Sequence, residues 1–500
     1  MNGSERMMPL TAPVFRFSNS YLSLPDHCFT RVVPVPVAAP RLIVFNRGLA
    51  EELGLDPRVL EPLAHLLFSG NLLPEDADPV ALVYAGHQFG HFVPRLGDGR
   101  AILLGEVIDR RGNRRDIQLK GSGRTPFSRQ GDGRAWLGPV LREYLVSEAM
   151  HALGIPTTRA LAAVATGESV MREEPLPGAV LTRVAASHIR IGTFEYCASR
   201  GDFAGVRALA EHVLARHYPD LETGEEPCLD LLRAVADRQA FLVARWMLVG
   251  FIHGVMNTDN TTVSGETIDY GPCAFMDAYD PATVFSSIDH LGRYAFANQP
   301  DCAAWNLARL AETLLPVMTL DQRVARERAG EVVHGFSGRC AQYHLEGMRV
   351  KLGFGASDSG DGVLVRDLLT IMQQGRADYT LTFRHLCAAA GESATDGGVR
   401  SLFSDPAPFD AWEVRWKARL QQDGMGTRER LASMRAANPR YIPRNHRVEA
   451  ALGAALQGDA GPFSTLLELL RHPCDDQPRM GEYAEPPPPS QREFQTFCGT

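Results

Sequence analysis

Two short polar segments contain the residue types that bind a divalent cation beside phosphate. Residues 253–260 end in Asp259 and Asn260, and Asp269 begins a second segment, 269–271. Carboxylate and amide oxygens are preferred ligands of Mg²⁺, and a further carboxylate can accept the proton of an attacking hydroxyl. Because Asp, Asn and Gly also dominate turns, either segment alone is equally typical of an ordinary turn. Together, between a helical pattern and an apolar run, they indicate nucleotide chemistry.

Lysine usage gives a second indication. Only Lys120, Lys351 and Lys417 are lysines among the 51 basic residues, so a lysine needs a specific explanation. Lys120 ends segment 115–120, where apolar and polar residues alternate as in a half-buried strand, which turns its side chain away from the packed face. A flexible ammonium suits phosphate oxygens, whereas arginine presents a planar fork. The alternative is a solvated lysine at a strand end.

Glycine-rich loops with arginines flank this strand. The tetrapeptide Gly-Asp-Gly-Arg occupies residues 97–100, before the strand-like segment 101–108, and occurs again at 131–134. Glycines let backbone N–H groups converge on an anion, and arginines add charge-assisted hydrogen bonds. Either tetrapeptide alone is also typical of a hairpin turn, because Asp-Gly is a strong turn signal. Neither loop contains Gly-Lys-Ser/Thr, which disfavours a P-loop ATPase.

A helix is predicted over residues 139–153, with Glu143 beside its apolar stripe and Gly154 as its stop. A glutamate on a helix that follows a lysine-bearing strand is the arrangement in which protein kinases hold an ammonium over phosphate. An ordinary surface glutamate is the competing interpretation. Arg183 and Arg190 are candidate phosphate ligands or solvated charges, and the sequence alone leaves both open.

Composition bounds the class of protein. The chain has 500 residues, 45% apolar residues and a net charge of −8, which predicts a soluble globular protein of more than one lobe. An acidic chain lacks the concentrated Lys and Arg of a nucleic-acid surface. The apolar stretch 241–256 is interrupted by charge and is shorter than the ~20 residues of a membrane span, so it predicts a core helix. With no secretory signal visible, we expect a cytoplasmic protein without nucleic-acid or membrane partners.

The nine cysteines show no CxxC pair and no zinc-like spacing, so the sequence predicts no structural metal. Most are expected to be small buried residues. Cys498 differs, because it follows the proline run 486–489 near the end of the chain. It is either an exposed, reactive thiol or an unremarkable terminal cysteine.

The pattern of predicted elements changes along the chain. Residues 80–196 contain short strands with glycine punctuation and one helix, which predicts a small α+β lobe. From about residue 203 the pattern becomes helical. Helices are predicted at 203–217, 229–256, 303–315, 321–350, 364–373 and 410–421.

Several long motifs resemble the selenoprotein O family, also called SelO or YdiU, over nearly the whole chain. The motifs are residues 84–90, 96–100, 118–123, 154–160, 253–260, 269–272 and 292–300. The resemblance implies an α+β, protein-kinase-like fold of two lobes, with a mixed, strand-rich N-lobe and a mainly helical C-lobe. It divides the chain into an N-terminal segment packed on the core (1–79), the N-lobe (80–196), the C-lobe with catalytic and metal-binding loops (197–421) and a C-terminal extension with a proline-rich tail (422–500).

The resemblance also implies an activity. Members of the family are protein adenylyltransferases in which ATP is reversed relative to kinases, so AMP passes to a Ser, Thr or Tyr hydroxyl, including those of the enzyme itself. ATP is then the co-substrate, proteins are the partners, and Mg²⁺ or Mn²⁺ is the cofactor, with UMP transfer from UTP also open. The residues equally serve a kinase that transfers the γ-phosphoryl group, or a silent ATP-binding pseudokinase.

The matching motifs carry over the site residues. Asp259 would be the general base, Asn260 and Asp269 the metal ligands, and Lys120 the phosphate ligand paired with Glu143. Asp269 would also border the nucleotide. The remaining nucleotide-site residues would be Gly97, Gly99, Arg100, Asp132, Gly133, Arg183 and Arg190.

The family's redox-active C-terminal position is filled here by Cys498. In some bacterial relatives this residue forms a disulfide with a cysteine after the Asp-Tyr-Gly motif. The equivalent stretch here, 284–288, contains serines, so the resemblance does not carry that disulfide over to this chain. Cys273 is the substitute partner that we consider.

Overall fold

The computed structural model of the chain describes residues 15–391, 398–488 and 496. The fold is mixed α/β, with an antiparallel sheet in the N-terminal part and helices after it. The strands are β1 (Phe29–Arg31), β2 (Arg41–Phe45), β3 (Val80–Leu82), β4 (Gly86–Gln88), β5 (His91–Val93), β6 (Ala101–Ile108), β7 (Arg114–Lys120), β8 (Ala135–Trp136), β9 (Arg159–Met171), β10 (Pro175–Ala185), β11 (Phe251–Ile252) and β12 (Ala274–Phe275).

The main sheet has the strand order β1-β3-β6-β7-β10-β9-β2, with β8 paired to β10. Its central register places Lys120, the last residue of β7, opposite Ala101 of β6 and Leu181 of β10. Residues directly opposite each other share a face, and alternate residues of one strand do so too. Arg183 therefore lies on the same face of the sheet as Lys120.

The α-helices are α1 (Arg47–Glu52), α2 (Pro57–Leu60), α3 (Ala64–Leu67), α4 (Leu137–Ala152), α5 (Ile191–Ala198), α6 (Phe203–His217), α7 (Pro227–Leu248), α8 (Gln299–Leu314), α9 (Gln322–Leu352), α10 (Asp361–Gly375), α11 (Tyr379–Ala389), α12 (Ala407–Gln422), α13 (Thr427–Ala437), α14 (Asn445–Leu456) and α15 (Gly461–Leu470). The long helices α7, α8 and α9 pack together in the largest apolar core. In the described part of the chain, no helix combines the length and apolar character needed to cross a bilayer.

Helix α4 is held between the sheet and the C-terminal helices. It packs against β9 and β10 on one side and against α14 and α15 on the other. Tyr144 is fully buried in the shared core, and its ring contacts Phe463 edge-on. Arg142 donates hydrogen bonds to Glu449 and to the side chain of Asn445, both at 2.8 Å. The C-terminal extension therefore fixes the helix that carries Glu143.

All six helices predicted from residue 203 onward are present; α6 has the predicted ends, and the ends of the other five are shifted. The prediction for 229–256 extends too far, because α7 ends at Leu248 and Gly250 adopts a positive φ of 72° before β11 begins. A left-handed residue ends a helix, and glycine adopts that conformation without steric cost. The sheet also extends beyond the predicted lobe, since β1 and β2 come from residues before 80.

Candidate nucleotide and metal site

Four charged side chains meet where β7, β10 and α4 approach the segment that follows β11. Lys120 Nζ lies 2.6 Å from Glu143 Oε2 and 2.6 Å from Asp269 Oδ1. Arg183 donates from Nε to Glu143 Oε1 at 2.8 Å and from Nη2 to Asp269 Oδ1 at 3.3 Å. Glu143 is only 4% exposed, which excludes an ordinary surface glutamate. Two cations and two carboxylates neutralise each other, as the buried charges of Glu143 and Arg183 require, while the side chain of Asp269 is 37% exposed.

The cations hold both carboxylates in the ionised form. Burial raises the pKa of Glu143, but Arg183 and Lys120 outweigh it, so the pKa lies below its ordinary value. Burial likewise opposes ionisation of Asp269, but Lys120 and Arg183 hold its pKa well below the ordinary value. Asp269 also adopts a left-handed backbone with φ of 72°, an uncommon conformation for a residue with a side chain. The site therefore keeps an ionised carboxylate on a strained backbone position.

A cavity of about 470 Å³ opens beside this cluster. Its lining carries six cationic side chains against three carboxylates, an excess that favours a multiply charged anion. Lys120, Arg183 and Asp269 border it. The other predicted nucleotide-site residues on its wall are Gly97, Gly99, Arg100, Asp132, Gly133 and Arg190.

The glycines bring the two Gly-Asp-Gly-Arg loops close to other backbone. Gly97 has φ of 79°, and a Cβ there would lie 2.5 Å from the ring of Phe127. Gly133 has φ of 71°, and a Cβ there would lie 2.2 Å from the carbonyl carbon of Gly123. Both positions therefore exclude a side chain, which leaves the backbone itself to form the wall.

Arg190 is held in the wall by aromatic and carboxylate contacts. Its guanidinium lies 4.4 Å from the ring centroid of Tyr84, and Nη1 lies 3.5 Å from Asp98 Oδ1. The residue is 5% exposed, and within the described part of the chain its buried Nε has no hydrogen-bond partner. A buried N–H without a partner is costly, and an anion in the cavity would satisfy it. Arg190 is thus not a solvated surface charge.

The two predicted metal ligands border a second, smaller cavity with Lys120 and Glu143. Asn260 donates from Nδ2 to Val255 O at 3.2 Å, which leaves its oxygen for another partner. Asp269 contributes a carboxylate held in the ionised form. An amide oxygen and an ionised carboxylate beside a basic cavity fit Mg²⁺ or Mn²⁺, which bind few protein oxygens and complete their shell with water and substrate.

Asp259 lies in the short 3₁₀ turn Thr258–Asn260 and is buried. Gln88 Nε2 donates to its Oδ2 at 3.2 Å, and within the described residues its Oδ1 has no hydrogen-bond partner. Burial raises the pKa of Asp259 to about 6. Asp259 lines neither cavity, because strand β4 covers it: a Cβ on Gly86 would lie 2.9 Å from Oδ1. The predicted base thus lies outside the linings of both cavities, although the charges of Arg190 and Asp269 still act on its carboxyl group.

Hydrogen bonds among three residues that were not predicted as site residues hold β4 over Asp259. His87 Nδ1 lies 2.5 Å from Glu195 Oε1, and Thr258 donates to Glu195 Oε2. The backbone N–H of His87 also donates to Thr258 Oγ1 at 2.7 Å. These contacts fasten the hairpin β4–β5 to the loop that carries Asp259, with Gln88 placed over the carboxylate.

Other residues of the cavity wall were also missed. Asp98 and Arg134 belong to the repeated tetrapeptides, where the repeat itself was the available signal. Tyr84 begins a motif quoted for the family resemblance, yet no role was inferred for it. Phe127 and Arg172 reach the wall only through the fold, and no local pattern marks them.

Of the two cysteines considered for a disulfide, the structure describes Cys273 only. Cys273 is fully buried, and burial raises the pKa of its thiol to about 12, which makes it a poor nucleophile. Cys498 lies outside the described residues. Nearby, Thr496 donates from its backbone N–H to Phe285 O at 2.8 Å and from its hydroxyl to Pro272 O.

Comparison with known proteins agrees with the motifs. Residues 13–471 match the family model described as protein adenylyltransferase SelO. A protein nucleotidyltransferase YdiU of Rhodopseudomonas palustris (strain BisB5) is 61% identical over 488 residues, which is 97% of this chain and 99% of that protein. Proteins of the same name from Bradyrhizobium sp. (strain ORS 278) and Rhizobium meliloti (strain 1021) are 61% and 59% identical, with the same coverage of both chains.

Proposed function

Because the chain belongs to the SelO family of protein adenylyltransferases, we propose that it transfers AMP from ATP to Ser, Thr or Tyr hydroxyls of proteins, its own included. The observation that carries this proposal is the position of Lys120, whose ammonium lies 2.6 Å from both Glu143 and Asp269 at the edge of a basic cavity. These residues are distant in sequence. Their convergence is the arrangement that a triphosphate and a divalent cation need.

The cavity wall takes the phosphates. Lys120, Arg100, Arg183 and Arg190 stabilise the charge that develops as the bond between the α-phosphorus and the bridging oxygen breaks and pyrophosphate leaves. Asn260 and Asp269 would hold Mg²⁺ or Mn²⁺, and the bound ion would neutralise charge on the phosphate oxygens. Fixed charges of this kind need no reorganisation during the reaction, so positioning and electrostatics supply most of the catalysis.

Asp259 acts as the general base. Its pKa of about 6 means that it is ionised at neutral pH yet basic enough to take the proton of an incoming hydroxyl. Its Oδ1 has no other partner in the described part of the chain and is available to accept that proton. Because β4 covers Asp259, the substrate hydroxyl reaches it when the hairpin β4–β5 moves aside. The cytoplasm, where ATP and proteins are abundant, is the compartment that we propose.

Intact-protein mass spectrometry tests the proposal directly. The full chain is incubated with ATP and either Mg²⁺ or Mn²⁺, alone and with a generic protein acceptor, and a parallel reaction contains UTP. Added AMP on Ser, Thr or Tyr supports the proposal, and added UMP in the UTP reaction extends it. Added phosphate would instead identify a kinase, and no mass change with either metal would identify a silent nucleotide-binding protein.

The two-lobed, kinase-like arrangement belongs to the same proposal. The sheet with Lys120 forms one wall of the cavity, and the loops that follow α7 and β11 supply Asn260 and Asp269. Protein kinases likewise place a phosphate ligand on a strand and the metal ligands on loops that face it.

A further inference from the structure

Three side chains that can bind a transition metal converge between the N-terminal segment and helix α5. Cys28 directly precedes β1, and Cys197 lies in the last turn of α5. Their sulfur atoms are 4.0 Å apart, and a ring nitrogen of His27 lies within 4.8 Å of both. None of the three borders the nucleotide cavity or the smaller cavity beside it.

The spacing of the sulfurs is close to that of two ligands on one zinc ion. Zn–S bonds of about 2.3 Å at a tetrahedral angle place two sulfurs roughly 3.8 Å apart. A disulfide needs an S–S distance of about 2.05 Å. Two thiolates and one imidazole are soft to borderline donors, a set that selects zinc over Mg²⁺ or Mn²⁺.

Charge and burial are compatible with the ion. Both sulfurs are buried, and both cysteines belong to the largest apolar core. When Zn²⁺ binds, the two thiols release their protons, and the ion with two thiolates and a neutral imidazole carries no net charge, while the negative charge of the nearby Asp202 carboxylate remains partly exposed to solvent. A neutral group suits an apolar surrounding.

The ring of His27 lies beside a carboxylate and is partly exposed to solvent. Its Nε2 lies 2.7 Å from Asp202 Oδ2, and the other oxygen of Asp202 accepts from the N–H of Gly205 at 2.9 Å as the cap of α6. Metal-bound histidines commonly have such a carboxylate behind the ring. The side chain of His27 is 44% exposed, which gives an entry path and room for a water as fourth ligand.

We propose that His27, Cys28 and Cys197 bind one Zn²⁺, with Asp202 positioning the imidazole. The ion ties the edge strand β1 to α5, the helix that begins immediately after Arg190. Sequence spacing predicted no structural metal because the two cysteines are 169 positions apart and meet only through the fold. The site is independent of the adenylyltransfer proposal.

Metal content and a cobalt spectrum test the site on the full chain. We expect one zinc per chain by elemental mass spectrometry after dialysis, and a thiolate-to-metal charge-transfer band when Co²⁺ replaces zinc. Cys197→Ser and His27→Ala should lose the zinc, and Asp202→Asn should bind it about 10–100-fold more weakly. Cys340→Ser is the matched control, because Cys340 is as deeply buried as Cys28 and lies on α9. It should keep one zinc per chain, as should Asp269→Asn.

Several results would overturn the proposal. One is wild-type protein, exposed to Zn²⁺ and dialysed, that retains no zinc and shows only free thiols. A second is a mass two hydrogens lower, with Cys28 and Cys197 joined as a disulfide. A third is undiminished zinc in Cys197→Ser. If that variant does not fold, the charge-transfer band of the wild-type cobalt protein decides, since its absence excludes thiolate ligands.

Discussion

The site contains two aspartates of opposite electrostatic character. Asp269 lies at the open, basic end, where Lys120 and Arg183 hold its pKa well below the ordinary value. Asp259 lies under the hairpin β4–β5, where its carboxylate accepts a hydrogen bond from the neutral amide of Gln88 and burial raises its pKa to about 6. The same functional group is thus a stable anion in one place and a proton acceptor near neutrality in the other.

This contrast separates the two roles. A metal ligand has to stay ionised at every working pH, whereas a general base works best with a pKa near that pH. Environments that push two carboxylates apart in this way are a sign of divided labour in an active site.

Replacing Asp269 should have the largest effect on activity. Asp269→Asn removes the charge of the proposed metal ligand and leaves Lys120 and Arg183 with one carboxylate fewer, so AMP transfer should fall by more than about 10³-fold. Metal-dependent nucleotide binding should weaken as well. Transfer is measured by mass spectrometry and binding by calorimetry with ATP and Mg²⁺. Unchanged metal-dependent binding would show that Asp269 is not a ligand.

Replacing Asp259 should affect transfer alone. Asp259→Asn keeps the shape of the side chain but removes the proton acceptor, so the transfer rate should fall by about 10²–10³-fold. Calorimetry should show nucleotide binding within about threefold of wild type, since Asp259 borders neither cavity. Full transfer activity in this variant would remove Asp259 as the base.

The stability of the fold should also depend on Glu143, which neutralises Lys120 and Arg183. Removing one partner of a buried ion pair costs about 3–5 kcal/mol, because the remaining charge stays buried. Glu143→Gln should therefore lower the free energy of unfolding by that amount in urea titrations. Glu449→Gln is the matched control, since Glu449 pairs with Arg142 but its side chain is 45% exposed, and exposed pairs contribute about 0–1 kcal/mol. If Glu143→Gln and Glu449→Gln lowered the free energy of unfolding equally, the inferred neutralisation of Lys120 by Glu143 would be contradicted.

The sequence predicted those parts of the site that depend on neighbouring residues in the chain, and it did not predict those that depend on contacts between distant segments. Lys120, Glu143 and the tetrapeptide glycines were found because strand alternation, helix periodicity and turn chemistry are local. The cover over Asp259 was not found, because Gln88 and Glu195 reach the loop from separate segments and look like ordinary polar residues in sequence. The pKa difference between the two aspartates was equally unreadable, because burial is a property of the fold.

Stability should respond to pH with opposite signs at the two aspartates. The folded pKa of Asp259, about 6, exceeds its ordinary value of 3.8, so ionisation destabilises the fold fully above pH 6 and the cost vanishes as pH falls toward 4. Asp259→Asn should therefore be more stable than wild type at pH 8, by up to about 3 kcal/mol, and equal to it near pH 4.

The depressed pKa of Asp269 has the reverse consequence. Its ionised form contributes stability above the ordinary pKa, and the contribution is lost as pH falls through the lower folded value. Asp269→Asn should therefore be less stable than wild type at pH 8, with the deficit shrinking in acid. Urea titrations of the three proteins at both pH values check the signs. If both variants were more stable than wild type at pH 8, or both less stable, the inferred difference between the two aspartates would be wrong.

The smallest effect should come from Gln88, which touches Asp259 without joining the chemistry. Its amide N–H stabilises the carboxylate and lowers its pKa, so Gln88→Leu should raise the pKa of Asp259 and move the acid limb of the transfer rate to higher pH. At neutral pH the rate should fall less than about tenfold, and at alkaline pH it should return to the wild-type level because Asp259 is again ionised. Gln342→Leu, the same change on an exposed face of α9, should leave the profile unmoved. A rate lowered equally at every pH would instead mean that Gln88 only holds the hairpin in place.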